Sequence, residues 1–273
     1  MKKLLLGFAV LFSLSVTAQD LKTPAPSTHQ TITQEFALSS IEIDYSRPSM
    51  KGRNIFGGLV PFDEKWRTGA NAPTTFTFGQ DVTVGGKAVK AGKYSVITAP
   101  GRSSWEVMLC KDGTSVYNFK EENVVTTFTA NSINLPFDVE TFTIMVSNVK
   151  DNSADIDILW ANKMATISVS ADIDSEIMSQ IDKVMNNDNK PYYAAASYYF
   201  ENGKDDNKAL EWAKKAADAQ PEAYWVRHLL AKANAKVGNK TAAIAAAKAS
   251  MDLAQKAGNM DYVRLNEALI KGL

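Results

Sequence analysis

Three arginines, Arg47, Arg53 and Arg67, fall within a stretch too rich in glycine and proline for a helix. Trp66 precedes the last of them, and Asn71 lies four residues beyond it. A guanidinium offers a planar fork of donors that matches a carboxylate or a phosphate. An indole stacks on a ring, and an amide side chain with glycine N–H groups can complete an anion-binding concavity. Arg47, Arg53, Trp66, Arg67 and Asn71 are therefore candidate ligand-binding residues for an anion, a sugar acid or a glycan, with Tyr45 and Phe56 as further stacking surfaces. The same residues have a purely structural reading. The guanidiniums would pair with Asp44, Asp63 and Glu64 and lie on aromatic faces, pinning a long loop to its scaffold.

Other chemistries are poorly supplied. The only histidines are His29 and His228, and Cys110 is the only cysteine, which argues against zinc and against a nucleophile with an imidazole base. Trp105-Glu106-Val107-Met108-Leu109-Cys110 reads as a strand with an inert buried thiol. Gly86 to Lys93 fails as a phosphate-binding loop, because five residues separate its glycines and Tyr94 stands where Ser or Thr is needed. Asp151, Asp155 and Asp157 form one carboxylate group and Asp172, Asp174 and Glu176 another, and neither follows a calcium-loop spacing. Asp155 and Asp157 alternate with isoleucines as a solvated strand face would, and Asp174 or Ser175 is a plausible helix N-cap. No catalytic residue, cofactor or metal is assigned. A non-enzymatic binding or scaffolding module is expected, with a carbohydrate- or anion-binding domain or a hydrolase using the Arg/Trp/Asn loop as the alternative.

The elements that position these residues fall into two halves. From about residue 31 to 171 the apolar pattern has period two, as in Ile41-Glu42-Ile43-Asp44-Tyr45 and Phe142-Thr143-Ile144-Met145-Val146. Gly85-Gly86 predicts a two-residue hairpin turn, and Pro100-Gly101 and Asp112-Gly113 mark two more turns. Many short strands without helices between them predict an antiparallel β-sandwich, jelly-roll-like. From 175 to 273 the pattern becomes helical and alanine-rich. At an offset of 34 residues, Ala209, Leu210, Ala213 and Ala216 fall on Ala243, Ile244, Ala247 and Ser250. That period is tetratricopeptide-like, with Met260 to Ile270 as a capping helix. The fold class expected is thus β plus α, a sandwich followed by an all-α helical region packed upon it. Stacked repeats commonly receive a protein or peptide partner, and Tyr198, Trp225, His228 and Lys232 are the candidate partner-binding residues.

The first 18 residues read as a signal peptide, with Lys2 and Lys3, an apolar run from Leu4 to Leu14, and a Val16-Thr17-Ala18 cleavage site. Residues 19–30 would be a linker. The mature chain would be exported, to the periplasm or beyond, without a membrane span. Apart from Lys2 and Lys3, 28 Lys and Arg stand against 30 Asp and Glu, so no nucleic-acid partner is indicated.

Tyr45-Ser46-Arg47-Pro48, Lys51-Gly52-Arg53, Ile55-Phe56-Gly57, Leu59-Val60-Pro61 and Trp66-Arg67-Thr68-Gly69-Ala70-Asn71, with Ala91-Gly92-Lys93-Tyr94-Ser95 further on, closely resemble the bacterial family called domain of unknown function 2911. The resemblance spans roughly residues 28 to 170. It implies an exported envelope protein, and brings no reaction, ligand or catalytic residue.

Overall fold

The computed structural model describes residues 23–273, so the expected signal peptide lies outside the described residues. The chain divides between Asp172 and Ile173 into two compact units. Among the described residues no helix is long and apolar enough to cross a membrane.

The first unit is built from nine antiparallel strands: β1 (Thr28–Phe36), β2 (Ser39–Arg47), β3 (Thr75–Phe78), β4 (Val82–Val84), β5 (Lys87–Val89), β6 (Gly92–Pro100), β7 (Ser104–Lys111), β8 (Val124–Ser147) and β9 (Ser153–Ser170). β1 begins at Thr28, inside the stretch expected to be linker. The strands form one continuous antiparallel sheet in the order β1-β2-β3-β6-β7-β8-β9-β4-β5. The sheet nonetheless folds over itself. β2 and β8 are far apart in that order, yet the Tyr45 hydroxyl on β2 accepts from the Ile144 N–H on β8 at 3.0 Å.

The bend is made by the longest strand. The β8–β9 register shifts between Asn134 and Val139 and again between Val139 and Thr143. Pro136, which lacks the donor a regular ladder needs, sits in the first of these breaks. Ile41, Ile43, Phe76, Phe78, Val96, Val107, Leu109, Ile156 and Ile158 are all buried, which confirms the alternating pattern as the core face of each strand. The Gly85-Gly86 turn closes the β4–β5 hairpin with φ of +54° and +79°, both in the left-handed region that glycine tolerates.

The second unit holds six helices: α1 (Asp174–Val184), α2 (Tyr192–Glu201), α3 (Asp206–Ala219), α4 (Tyr224–Lys236), α5 (Lys240–Lys256) and α6 (Met260–Lys271). From α2 onward each helix packs on the next. The contacts are small: Ala209, Ala213 and Ala216 of α3 and Ala243 and Ala247 of α5 are buried, letting the backbones approach closely. Asp174 does not cap α1, as Ile173 occupies that position. Its carboxylate instead meets the Lys204 ammonium at 2.7 Å and accepts from the Tyr198 hydroxyl at 2.7 Å, contacts that hold it below the usual carboxylate pKa.

Candidate functional site

Residues 48–74, between β2 and β3, carry the arginine-rich stretch, and main-chain hydrogen bonds fix both of its ends. At one end the Pro48 carbonyl accepts from the Phe142 N–H and the Met50 N–H donates to the Glu140 carbonyl, both at 2.8 Å. At the other, Trp66 exchanges both its main-chain bonds with Thr98, at 2.7 and 3.0 Å, and Asp63 N–H donates to the Pro100 carbonyl at 2.9 Å. The loop thus continues the sheet along the free upper part of β6. Thr68 within it has φ of +56°, uncommon for a β-branched residue, and is buried against Thr98, Oγ1 to Oγ1 at 3.0 Å. Strained backbone of this kind persists only where the surroundings over-determine it, and it clusters at ligand clamps.

Beneath the loop lies an aromatic cluster. Trp66 stacks on Trp160 of β9, ring centres 5.8 Å apart and planes 16° from parallel. Phe142 meets both indoles edge-on, at 5.3 Å from Trp66 and 5.8 Å from Trp160. Phe56 lies 5.3 Å from Trp105. Tyr45 is buried and its hydroxyl is spent on Gln30 and Ile144, so it offers no stacking face to a ligand.

Above the cluster opens a cavity of about 600 Å³. Trp66, Trp160, Leu59, Val60, Pro26 and Pro48 give it apolar walls, and Lys51, Arg53, Arg67 and Asn71 give it polar ones. Four of the five sequence candidates therefore meet at one place. Arg47 does not: its Nε donates to the Phe142 carbonyl at 3.1 Å and its Nη2 to the Thr143 hydroxyl at 2.9 Å. Arg47 staples β2 to β8 and belongs to the fold.

The expected pairing of the arginines with Asp44, Asp63 and Glu64 is absent. Among the described residues no carboxylate lies within 4.0 Å of the Arg47, Arg53 or Arg67 guanidinium or the Lys51 ammonium. Carbonyls and a phenol position the two cavity arginines instead. Arg53 donates to the Met50 carbonyl at 2.9 Å and to the Ser49 carbonyl. Arg67 donates to the Asn71 carbonyl at 3.3 Å and to the Tyr117 hydroxyl, and its plane lies over the Tyr117 ring at 4.7 Å. A guanidinium has five N–H donors, so these acceptors orient each group without neutralising or exhausting it. The Asn71 side-chain amide donates to the Ser27 carbonyl at 3.2 Å, closing one rim.

The sequence reading passed over Lys51, Trp160 and Tyr117 as site residues. Lys51 stood in the same stretch, and its charge was the available signal. Trp160 sits in an ordinary alternating strand and Tyr117 in a distant loop, so only the folded sheet brings them in.

Elsewhere, Asp157 corrects the expectation of a solvated face. It is buried, and its carboxylate accepts from the Ser147 hydroxyl at 2.5 Å and the Thr166 hydroxyl at 2.6 Å. Neither carboxylate group forms a metal-holding cluster among the described residues. Burial pushes the Cys110 thiol up to about 11, far from the thiolate a nucleophile needs.

The four candidates on the helical unit are not gathered into one cleft. His228 Nδ1 lies 2.8 Å from the Asn266 side-chain oxygen, and the Asn266 amide in turn donates to the Ser250 hydroxyl at 2.9 Å. Burial holds the imidazole below its usual 6.5. Tyr198 is bound to Asp174, and the Lys232 ammonium sits 4.7 Å over the Phe200 ring. Trp225 stays partly exposed beside Tyr224. None of the four lines the groove between α3, α4 and α5, where Lys214, Arg227, Leu230 and Asn234 stand instead.

No curated protein and no solved structure matches the chain. A family model, described as protein of unknown function (DUF2911), matches residues 27–169, the span of the nine-stranded sheet, and the chain therefore belongs to the DUF2911 family.

Proposed function

We propose that the sheet unit is a binding module for a small anion attached to an apolar or sugar-like body, in a chain exported to the bacterial envelope. One observation carries the reading: the cavity is walled by aromatic and aliphatic groups and carries three cations with no carboxylate partner. Three positive charges around a concavity repel one another; the Glu140 carboxylate, which accepts from the Lys51 main-chain N–H at 2.9 Å, offsets part of that repulsion, and a bound anion relieves the rest. The residues lining the cavity include no carboxylate, imidazole or thiol. Binding is therefore favoured over acid–base or nucleophilic catalysis, which needs such a group within hydrogen-bond reach of the substrate.

The magnitudes set the scale. Hydrogen bonds to charged groups contribute about 1.5–3 kcal/mol each. Contacts from Arg53 and Arg67 alone would reach roughly 3–6 kcal/mol, and about 4 kcal/mol corresponds to millimolar affinity. Tighter binding requires the apolar walls, so the ligand should carry a body as well as a charge. A melting-temperature panel tests this. D-Glucuronate and glucose 6-phosphate at a hundredfold excess over Kd should add about 2.7 kcal/mol, a shift of roughly 5–10 °C, while glucose does nothing. Equal responses to glucose and glucuronate would refute the charge argument. Export is checked separately by the mass of the protein recovered from the envelope, which should begin at Gln19; an intact N-terminus would refute it.

A further inference from the structure

The two edges of the sheet are built differently. At one end β5 is three residues long, begins with Lys87 and follows a tight turn, which is how proteins commonly blunt an edge against unwanted pairing. At the other end β1 pairs with β2 over nine consecutive residues without a register break, and its outer edge has no strand partner among the described residues. β1 holds no proline, no lysine and no bulge. A long, regular edge of this kind is a template for another strand.

The sequence of β1 indicates which strand. Thr28-His29-Gln30-Thr31-Ile32-Thr33-Gln34-Glu35-Phe36 is close to a chemical palindrome about Ile32. Set antiparallel against its own copy with Ile32 on the two-fold axis, it places Gln30 opposite Gln34 and Thr31 opposite Thr33. His29 then stands opposite Glu35, a basic group facing an acidic one, at both ends of the ladder. Directly opposed residues point to the same face of a sheet. The exposed residues His29, Thr31, Thr33 and Glu35 thus meet one another, as do the half-buried Gln30, Ile32 and Gln34. A register two residues away would oppose Thr31 with Glu35 and lose the His29–Glu35 pair, leaving His29 only the Asp44 carboxylate of its own chain, 3.2 Å from its Nε2.

We infer that a second copy of this chain docks on β1, pairing β1 with β1 antiparallel about Ile32 and joining two nine-stranded sheets into one. The interface is isologous, so it closes at a dimer. The free edge of β1 carries it, not the anion cavity, although Pro26 and Ser27 just before β1 line that cavity.

Sedimentation velocity of the full chain across a concentration series should show a monomer–dimer equilibrium. Ile32→Lys opposes two like charges on the axis and should weaken self-association about tenfold or more, with the circular dichroism spectrum unchanged. Register is read by oxidative cross-linking. Ile32→Cys faces its own copy and should give a covalent dimer, whereas Gln34→Cys faces Gln30 and should not. Native Cys110 is buried and does not interfere. The proposal is overturned if the chain stays monomeric throughout the series. It is equally overturned if Gln34→Cys cross-links as readily as Ile32→Cys. Should Ile32→Lys fail to fold, Glu35→Lys, which replaces an exposed side chain and removes the acidic group opposite His29, must weaken the dimer in its place.

Discussion

Trp160→Ala is expected to destabilise the sheet unit by about 3–5 kcal/mol, the range for emptying a buried tryptophan site. The indole is 1% exposed, stacks on Trp66, packs edge-on against Phe142, and donates Nε1–H to the Glu140 carbonyl at 3.3 Å. Truncation leaves a void between the two folded-over parts of the sheet and removes one of the two donors to that carbonyl, which keeps the Met50 N–H. Because whole domains are stable by only about 5–15 kcal/mol, the variant should unfold at a markedly lower urea concentration. Trp66 is held from below by Trp160, so the wall of the cavity should loosen too. Urea unfolding followed by circular dichroism measures the first effect. A midpoint shift worth under about 1 kcal/mol, the size of an ordinary surface substitution, would show that the cluster is not what holds the folded sheet together.

The double variant Arg53→Ala with Arg67→Ala should behave in the opposite way. Two charge-assisted contacts of about 1.5–3 kcal/mol each predict a loss of glucuronate affinity of roughly two to four orders of magnitude. Stability should barely change. Both side chains reach the surface, neither joins an ion pair among the described residues, and the loop beneath them is fixed by main-chain bonds to β6 and β8. Removing two mutually repelling charges could even raise the melting temperature slightly. Arg47→Ala supplies the contrast, since its donors close β2 onto β8. It should lower stability, with any loss of binding following from loss of fold. Calorimetric titration beside thermal melting separates the two behaviours. A double variant that binds as well as the parent would remove the arginines from the site.

These contrasts show what the chain made legible before folding. The alternation around Ile41 and Ile43 and the Gly85-Gly86 turn are local signals, because a period of two and a positive φ are set by neighbouring residues. The concentration of Arg53, Trp66, Arg67 and Asn71 at one cavity was legible for a similar reason: all four lie on the single connection between β2 and β3. The continuity of the sheet was not legible. It depends on β8 running through Pro136 for 24 residues, where local rules predict a break. The assignment of Arg47 failed because its partners lie 95 residues away, on a strand that only the bend brings near. Asp157 misled likewise. Its alternation with isoleucines implied water, whereas two hydroxyls from β8 and β9 satisfy its oxygens inside the protein.

The arginine side chains themselves can report on the cavity. In ¹⁵N-resolved spectra recorded during a titration with D-glucuronate, the Nε–H signals of Arg53 and Arg67 should move together and saturate. The Arg47 signal, on a side chain that does not line the cavity and is bound to β8, should stay in place. Stationary Arg53 and Arg67 signals up to tens of millimolar (about the weakest binding the contact energies allow), or movement of Arg47 in step with them, would contradict the anion-binding cavity.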